Sequence, residues 1–243
     1  MSCKHMYRLA MALFVFVSLL STAGVAQEKR ENSAIKPESR SGGWMNRHES
    51  FNARVKQGDV DLLMIGDSIT HGWEGSGRQV WEEFYGKRNA VNLGIGGDRT
   101  QHVLWRLDNG NIEGISPKLA VIMIGTNNCG NNTPEEITEG VEAIVNKLRT
   151  KLPNMKILVL AIFPRGENDN DGGRKENMKA NELISKLADD KMVYFLNIND
   201  TFLTKDRVLT REIMPDLLHP NEKGYRIWAE AMEPTIAKLM GEK

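Results

Sequence analysis

Cysteine is nearly absent: the 243 residues hold two, Cys3 and Cys129. A fold stapled by several disulfides is therefore excluded. An excess of charge of either sign is also missing, since 32 Lys+Arg face 32 Asp+Glu, which argues against a basic nucleic-acid binder and an acidic disordered chain. Aromatic residues make up only 7%. Trp73, Trp81, Trp105 and Trp228 are spread along the chain rather than interleaved with basic residues as a base-stacking platform would need, so they read as core or pocket wall and no nucleic-acid partner is expected. The apolar run Met11 to Leu20 falls short of the roughly 20 residues that a spanning helix needs. What remains is a chain of ordinary globular composition, 40% hydrophobic, long enough for one domain with a sizeable core.

The N-terminus has its own pattern. Lys4 and Arg8 precede the apolar run, and small residues follow it to Ala26. This predicts a signal peptide over residues 1–26, cleaved after Ala26, hence an exported protein, periplasmic or secreted, with no stable membrane span once the signal is removed. Cleavage leaves 30 basic against 32 acidic residues and Cys129 as the one cysteine, so no intrachain disulfide is possible in the mature chain. Residues 27–43 are polar, charged and closed by Gly42-Gly43, which predicts a flexible leader. The folded domain is expected over residues 44–243.

Within that domain, Trp44, His48, Phe51 and Val55 recur at helical spacing, which makes His48 a packing residue. Apolar β-rich runs at Asp61–Ile65, Ala90–Leu93, Leu119–Ile124, Lys156–Ile162 and Met192–Ile198 alternate with helical patterns. Thr133-Pro134-Glu135-Glu136 reads as a capping box with proline at the first helical position, opening the stripe Ile137, Val141, Ile144, Val145 and Leu148. Five apolar strands separated by helices predict an α/β fold, a three-layer α/β/α sandwich around a five-stranded parallel sheet. Ligand sites in such sheets form beyond the carboxyl ends of the strands.

The chemistry-bearing residues sit there. The first strand runs into Gly66-Asp67-Ser68, the second into Gly94-Ile95-Gly96-Gly97-Asp98, the third into Gly125-Thr126-Asn127-Asn128, and Asp216-Leu217-Leu218-His219 lies near the C-terminus. A serine hydroxyl becomes a nucleophile when an imidazole takes its proton, and that imidazole needs a carboxylate to fix its tautomer. Ser68, His219 and Asp216 supply these groups. The backbone N–H groups of Ser68 and Gly97 and the side-chain amide of Asn127 could form an oxyanion hole. Ile69 and Leu218, flanking nucleophile and base, are candidates for narrowing the acyl pocket.

Taken together, these motifs resemble the SGNH (GDSL) hydrolases, whose named residues fall on Ser68, Gly97, Asn127 and His219, with Asp216 as the triad acid. Trp44-Met45, Asn92 to Asp98, His102 to Leu107, Gly125 to Asn128 and Pro164-Arg165-Gly166 are similar to the catalytic subunits of platelet-activating factor acetylhydrolase, in order, across roughly Trp44 to Leu239. The resemblance implies a flavodoxin-like fold, no metal or cofactor, hydrolysis of acetyl or other short acyl esters, and a homodimer. The leaving alcohol is left open between an acetylated sugar or polysaccharide and an acetylated phospholipid. A lysophospholipase or longer-chain lipase of the same fold is the alternative enzyme.

Rival readings have less to support them. Asp67 is expected to bond backbone at its turn. His71 is a second candidate base without a paired carboxylate. His102 is expected to pack or cap, and Cys129 has no histidine placed beside it by any motif. Arg165 and Arg174, around the charged stretch Glu167–Lys175, could touch an anionic leaving group. Gly94-Ile95-Gly96-Gly97 could cradle a phosphate in a non-catalytic nucleotide-binding protein, but Arg99 stands where a dinucleotide motif needs its third glycine.

Overall fold

The structure, a computed structural model, describes residues 30–242; the expected signal peptide lies outside the described residues. Five short apolar segments form the strands β1 (Leu62–Gly66), β2 (Ala90–Gly94), β3 (Leu119–Met123), β4 (Lys156–Leu160) and β5 (Val193–Leu196). They make one parallel sheet in the order β2-β1-β3-β4-β5. Alternate side chains leave opposite faces, as the period of two requires. Leu63, Ile65, Ala120 and Ile122 enter one core with α1 (Gly43–Val55), α4 (Thr100–Asp108), α5 (Pro134–Lys151) and α6 (Gly172–Ile184). Leu62, Met64, Val121 and Met123 enter a second core, with residues of α2 (Ser68–His71), α3 (Arg78–Phe84) and α7 (Glu222–Met240). The three-layer α/β/α sandwich is thus the observed architecture.

Local sequence sets the helix ends. Thr133 and Glu136 form the reciprocal capping box at the start of α5, with Pro134 at its first turn. Asp171 and Asn221 accept backbone N–H groups at the starts of α6 and α7. The chain passes from β1 to β2 on one side and then crosses back to β3 on the other, so the strand order reverses at β1, the place where ligand crevices form at the carboxyl ends of such sheets.

The segment expected to be a flexible leader is different over its described part. From Asn32 onward it belongs to the same compact unit as the sheet. Ala34 is fully buried, its carbonyl accepts the Thr100 hydroxyl at 2.8 Å, and Asn32 Nδ2 donates to Glu139 at 2.7 Å. The Glu38 N–H donates to the Gln101 carbonyl at 3.2 Å. Polar composition misleads here because the strap is held by hydrogen bonds to the start of α4 and to α5 rather than by an apolar stripe. Among the described residues, no helix is long and apolar enough to cross a membrane.

Candidate active site

Ser68 stands at the first position of α2, immediately beyond β1. Two glycines let this turn settle on the sheet: a Cβ on Gly94 would lie 2.3 Å from the His71 nitrogen, and one on Gly66 would lie 2.1 Å from the Thr70 hydroxyl. Asp67 caps the turn, its Oδ1 accepting the Ile69 N–H at 2.9 Å, as expected for that residue. Its other oxygen is buried without a partner, and burial pushes the carboxyl up to about 7.

Far along the chain, Asp216 to His219 turn back onto Ser68. Asp216 Oδ1 accepts the N–H groups of Leu218 at 3.1 Å and His219 at 2.7 Å. Leu217 adopts the left-handed conformation, with φ of 61°, which is uncommon for a branched residue and lets the chain reverse between acid and imidazole. Asp216 Oδ2 lies 2.6 Å from His219 Nδ1, and His219 Nε2 lies 2.8 Å from Ser68 Oγ. Burial works against ionisation of Asp216, but hydrogen bonds from the His219 ring and backbone outweigh it and hold the carboxyl below its ordinary range.

The glycine-rich loop after β2 carries Gly97 at φ +75°, a conformation that favours glycine. Among the described residues, no hydrogen bond uses the N–H of Ser68 or Gly97. Asn127 Nδ2 donates one hydrogen to the Asp98 carbonyl at 2.9 Å, which leaves its second N–H available. The structure therefore brings Ser68, His219 and Asp216 into one hydrogen-bonded chain and ties Asn127 to the loop that carries Gly97.

Asp98, part of the glycine-loop motif but given no role from sequence, is the hub beneath that loop. It is fully buried and takes Trp44 Nε1 at 2.6 Å, Arg106 Nε at 2.9 Å and Arg40 Nη1 at 3.3 Å. Arg106, itself buried, also donates to Asn111, whose amide approaches His48 Nδ1 at 3.1 Å. Nothing in the local sequence marks Arg40 or Arg106 as partners of one carboxylate, because their convergence depends on how the N-terminal strap and α4 pack on one face.

A cleft of about 510 Å³ opens beside Ser68 and His219, lined also by His71, Glu74, Ser76 and Pro220. Neither Ile69 nor Leu218 is among its walls, contrary to expectation. Ile69 is 1% exposed within the core, because the turn at Ser68 directs it inward. Leu218 packs half-buried against the same core. Glu74, which sequence reasoning passed over, is fixed at the rim by Arg47 at 2.7 Å.

The rival residues have other places. His71 lines the cleft, but Ser68 Oγ bonds to His219. His102 Nδ1 accepts the Arg99 N–H at 2.9 Å in a capping role, and burial with nearby arginines pulls its imidazole down to about 4. Cys129 donates to Asn177 at 2.8 Å, and burial pushes its thiol up to about 12. Arg174 is buried, with its guanidinium on the carbonyls of Arg165, Gly166 and Arg207, so it braces the loop rather than facing a ligand. Among the described residues, no group of three or more His, Cys, Asp or Glu side chains is arranged to hold a metal ion.

Residues 64–227, which include every group of the hydrogen-bonded chain, match the GDSL-like Lipase/Acylhydrolase family. The chain belongs to this family. As a GDSL-like acylhydrolase it is a carboxylic ester hydrolase. It is 36% identical over 218 residues to human platelet-activating factor acetylhydrolase IB subunit alpha1, covering 87% of this chain and 93% of that protein. In structure it is similar to a GDSL-like lipase from Bacteroides thetaiotaomicron, with a TM-score of 0.64 and 21% identity over 79% of this chain and 97% of the other. A carbohydrate acetylesterase from Sinorhizobium meliloti is also similar in structure, with a TM-score of 0.59 and 20% identity over 74% of this chain and 99% of its own.

Proposed function

We propose that this GDSL hydrolase is an exported serine esterase that removes acetyl or similarly short acyl groups from a hydroxyl-rich alcohol such as a sugar. The observation that carries the reading is the chain Ser68 Oγ, His219, Asp216 at 2.8 and 2.6 Å beside an open cleft. His219 Nε2 takes the Ser68 proton as Oγ attacks the ester carbonyl, and Asp216 holds the ring at Nδ1 and stabilises its charge. The tetrahedral oxyanion is held by the N–H groups of Ser68 and Gly97 and the free N–H of Asn127. The intermediate collapses, His219 protonates the departing alcohol oxygen, and an acyl-serine remains. Water, deprotonated by the same imidazole, then attacks the acyl carbon and releases the carboxylic acid and Ser68.

Three polar side chains among the cleft's lining favour the substrate class. Glu74, Ser76 and His71 offer hydrogen-bonding groups to a polyol, whereas a long acyl chain is better served by an apolar groove. Acetyl is the group named for both the human acetylhydrolase subunit and the carbohydrate acetylesterase. Export rests on the signal-like pattern of residues 1–26.

The deciding experiment is kcat/KM of the mature protein on p-nitrophenyl esters from acetyl to octanoyl, with folded Ser68→Ala as the blank. A steep Ser68-dependent fall beyond acetyl is expected, followed by higher turnover on acetylated xylo-oligosaccharides than on an acetylated phospholipid. A maximum at octanoyl would replace this reading with the lipase or lysophospholipase alternative. Absence of Ser68-dependent turnover would remove the triad assignment.

A further inference from the structure

We propose that Arg40, delivered by the N-terminal strap, is a positioning residue that aims the Gly97 oxyanion donor. The inference rests on the esterase reading above and concerns how one of its donors is held. A peptide unit is planar and trans, so the carbonyl of residue 96 and the N–H of residue 97 point in opposite directions within one rigid plate. Whatever fixes the Gly96 oxygen therefore fixes the direction of the Gly97 N–H. Arg40 Nη1 donates to that oxygen at 2.9 Å and reaches Asp98 Oδ1 at 3.3 Å.

The plate is the middle peptide of a turn closed by the Asp98 N–H on the Ile95 carbonyl at 3.1 Å, a bond that does not itself fix which way the middle peptide points. It is flanked by two glycines, whose broad backbone freedom makes rotation of the intervening peptide cheap. On its far side Asp98 is held through its carbonyl by Asn127 and through its carboxylate by Trp44 and Arg106, but Gly96 has only Arg40 among the described hydrogen bonds. The guanidinium also lies 3.4 to 3.5 Å from where a Gly97 Cβ would stand, so it packs against the loop as well as bonding to it. A cation on the carbonyl further polarises the amide, making its N–H a stronger donor toward developing negative charge.

Arg40 is held in place beforehand. Two residues upstream the Glu38 N–H is bound to Gln101, and Ala34 is bound to Thr100, so the strap reaches the loop already docked on α4. The arrangement lets the docked strap present Arg40 to the loop in a fixed position.

The test is steady-state kinetics on p-nitrophenyl acetate for wild type, Arg40→Ala, Arg40→Gln and Arg40→Lys, with thermal melting of each. The affinity of a trifluoromethyl ketone, whose hemiketal oxyanion would occupy the same hole, is measured alongside. Loss of a whole oxyanion donor costs about 10²–10³ in kcat, so misaiming one should cost Arg40→Ala about 10-fold or more, with KM within about twofold. Arg40→Lys and, to a lesser degree, Arg40→Gln keep an N–H for the Gly96 carbonyl and should recover kcat in that order. Ketone affinity should follow kcat/KM across the series. Should Arg40→Ala fail to fold, the graded Lys and Gln variants carry the same comparison.

Wild-type kcat in a folded Arg40→Ala protein, or a rise in KM alone, would overturn the proposal. So would equal kcat losses in all three variants that follow their melting temperatures. If the wild type itself showed no Ser68-dependent turnover, the esterase reading would fail and this inference with it; Ser68-dependent turnover indifferent to Arg40 would sink this inference only.

Discussion

Asp216 holds His219 twice: one carboxylate oxygen accepts the His219 backbone N–H at 2.7 Å and the other meets its ring Nδ1 at 2.6 Å. The same side chain therefore shapes the turn and orients the imidazole. A three-residue spacing suffices because Leu217 takes up the reversal at φ 61°.

Asp216→Asn separates these two tasks. The amide oxygen can still accept backbone N–H groups, but the ring loses its carboxylate and its fixed tautomer. kcat/KM on p-nitrophenyl acetate should fall by about 10²–10⁴, toward the upper figure where the tautomer is inverted, with a melting temperature close to wild type. A loss of less than about tenfold would show that the acid contributes little here.

Asn127→Ala removes one proposed oxyanion donor and the tether to the Asp98 carbonyl. The expected loss is about 10²–10³ in kcat with little change in KM. A change confined to KM would place Asn127 in ground-state binding instead.

Asp98→Ala leaves Arg106 as a charge buried at 1% exposure without its partner. Breaking a buried pair from one side costs about 3–5 kcal/mol, which denaturant unfolding would read directly. The packed strap should loosen with it, since Arg40 and Trp44 share the same carboxylate.

Asp67 gives a pH signature. Its folded carboxyl lies near 7 against an unfolded value of about 3.9, so between these values the folded state holds a proton that the unfolded state has lost. Stability from this group is present below the unfolded value and is lost as pH rises toward 7. The difference in unfolding free energy, Asp67→Asn minus wild type, should accordingly grow by a few kcal/mol from pH 4 to 7 and then level. A flat difference across that range would mean the carboxyl ionises normally.

His102 acts in the opposite sense. Its folded imidazole lies near 4 against about 6.5 unfolded, so the stability of keeping it neutral is present above the unfolded value and lost as pH falls from 6.5 toward 4. His102→Gln, which can still cap Arg99, should flatten the acid limb of the stability profile. An unchanged limb would exclude His102 as its source.

The linear sequence determined a good deal. Five apolar runs broken by helical stripes can satisfy their backbone and bury both faces only as a covered parallel sheet. Gly66-Asp67-Ser68 and Asp216 to His219 carry their chemistry in residue type and spacing, so Ser68, Asp216 and His219 were legible from sequence as the proposed nucleophile, acid and base. The capping box at Thr133 and the turn role of Asp67 are equally local, each being a bond between residues within three positions.

Tertiary structure decided what depends on distant segments meeting. The segment of residues 32–41 is polar and reads as a leader, yet it docks because its partners Thr100, Gln101 and Glu139 are brought beside it by helix packing. Ile69 turns into the core and leaves the cleft to Glu74 and Ser76, a choice set by the direction of one helical turn on the sheet. Arg40, Trp44 and Arg106 converge on Asp98 from positions up to 58 residues away. Residue type records that each can donate a hydrogen bond; only the packing of α1, α4 and the strap on one face of the sheet fixes the acceptor.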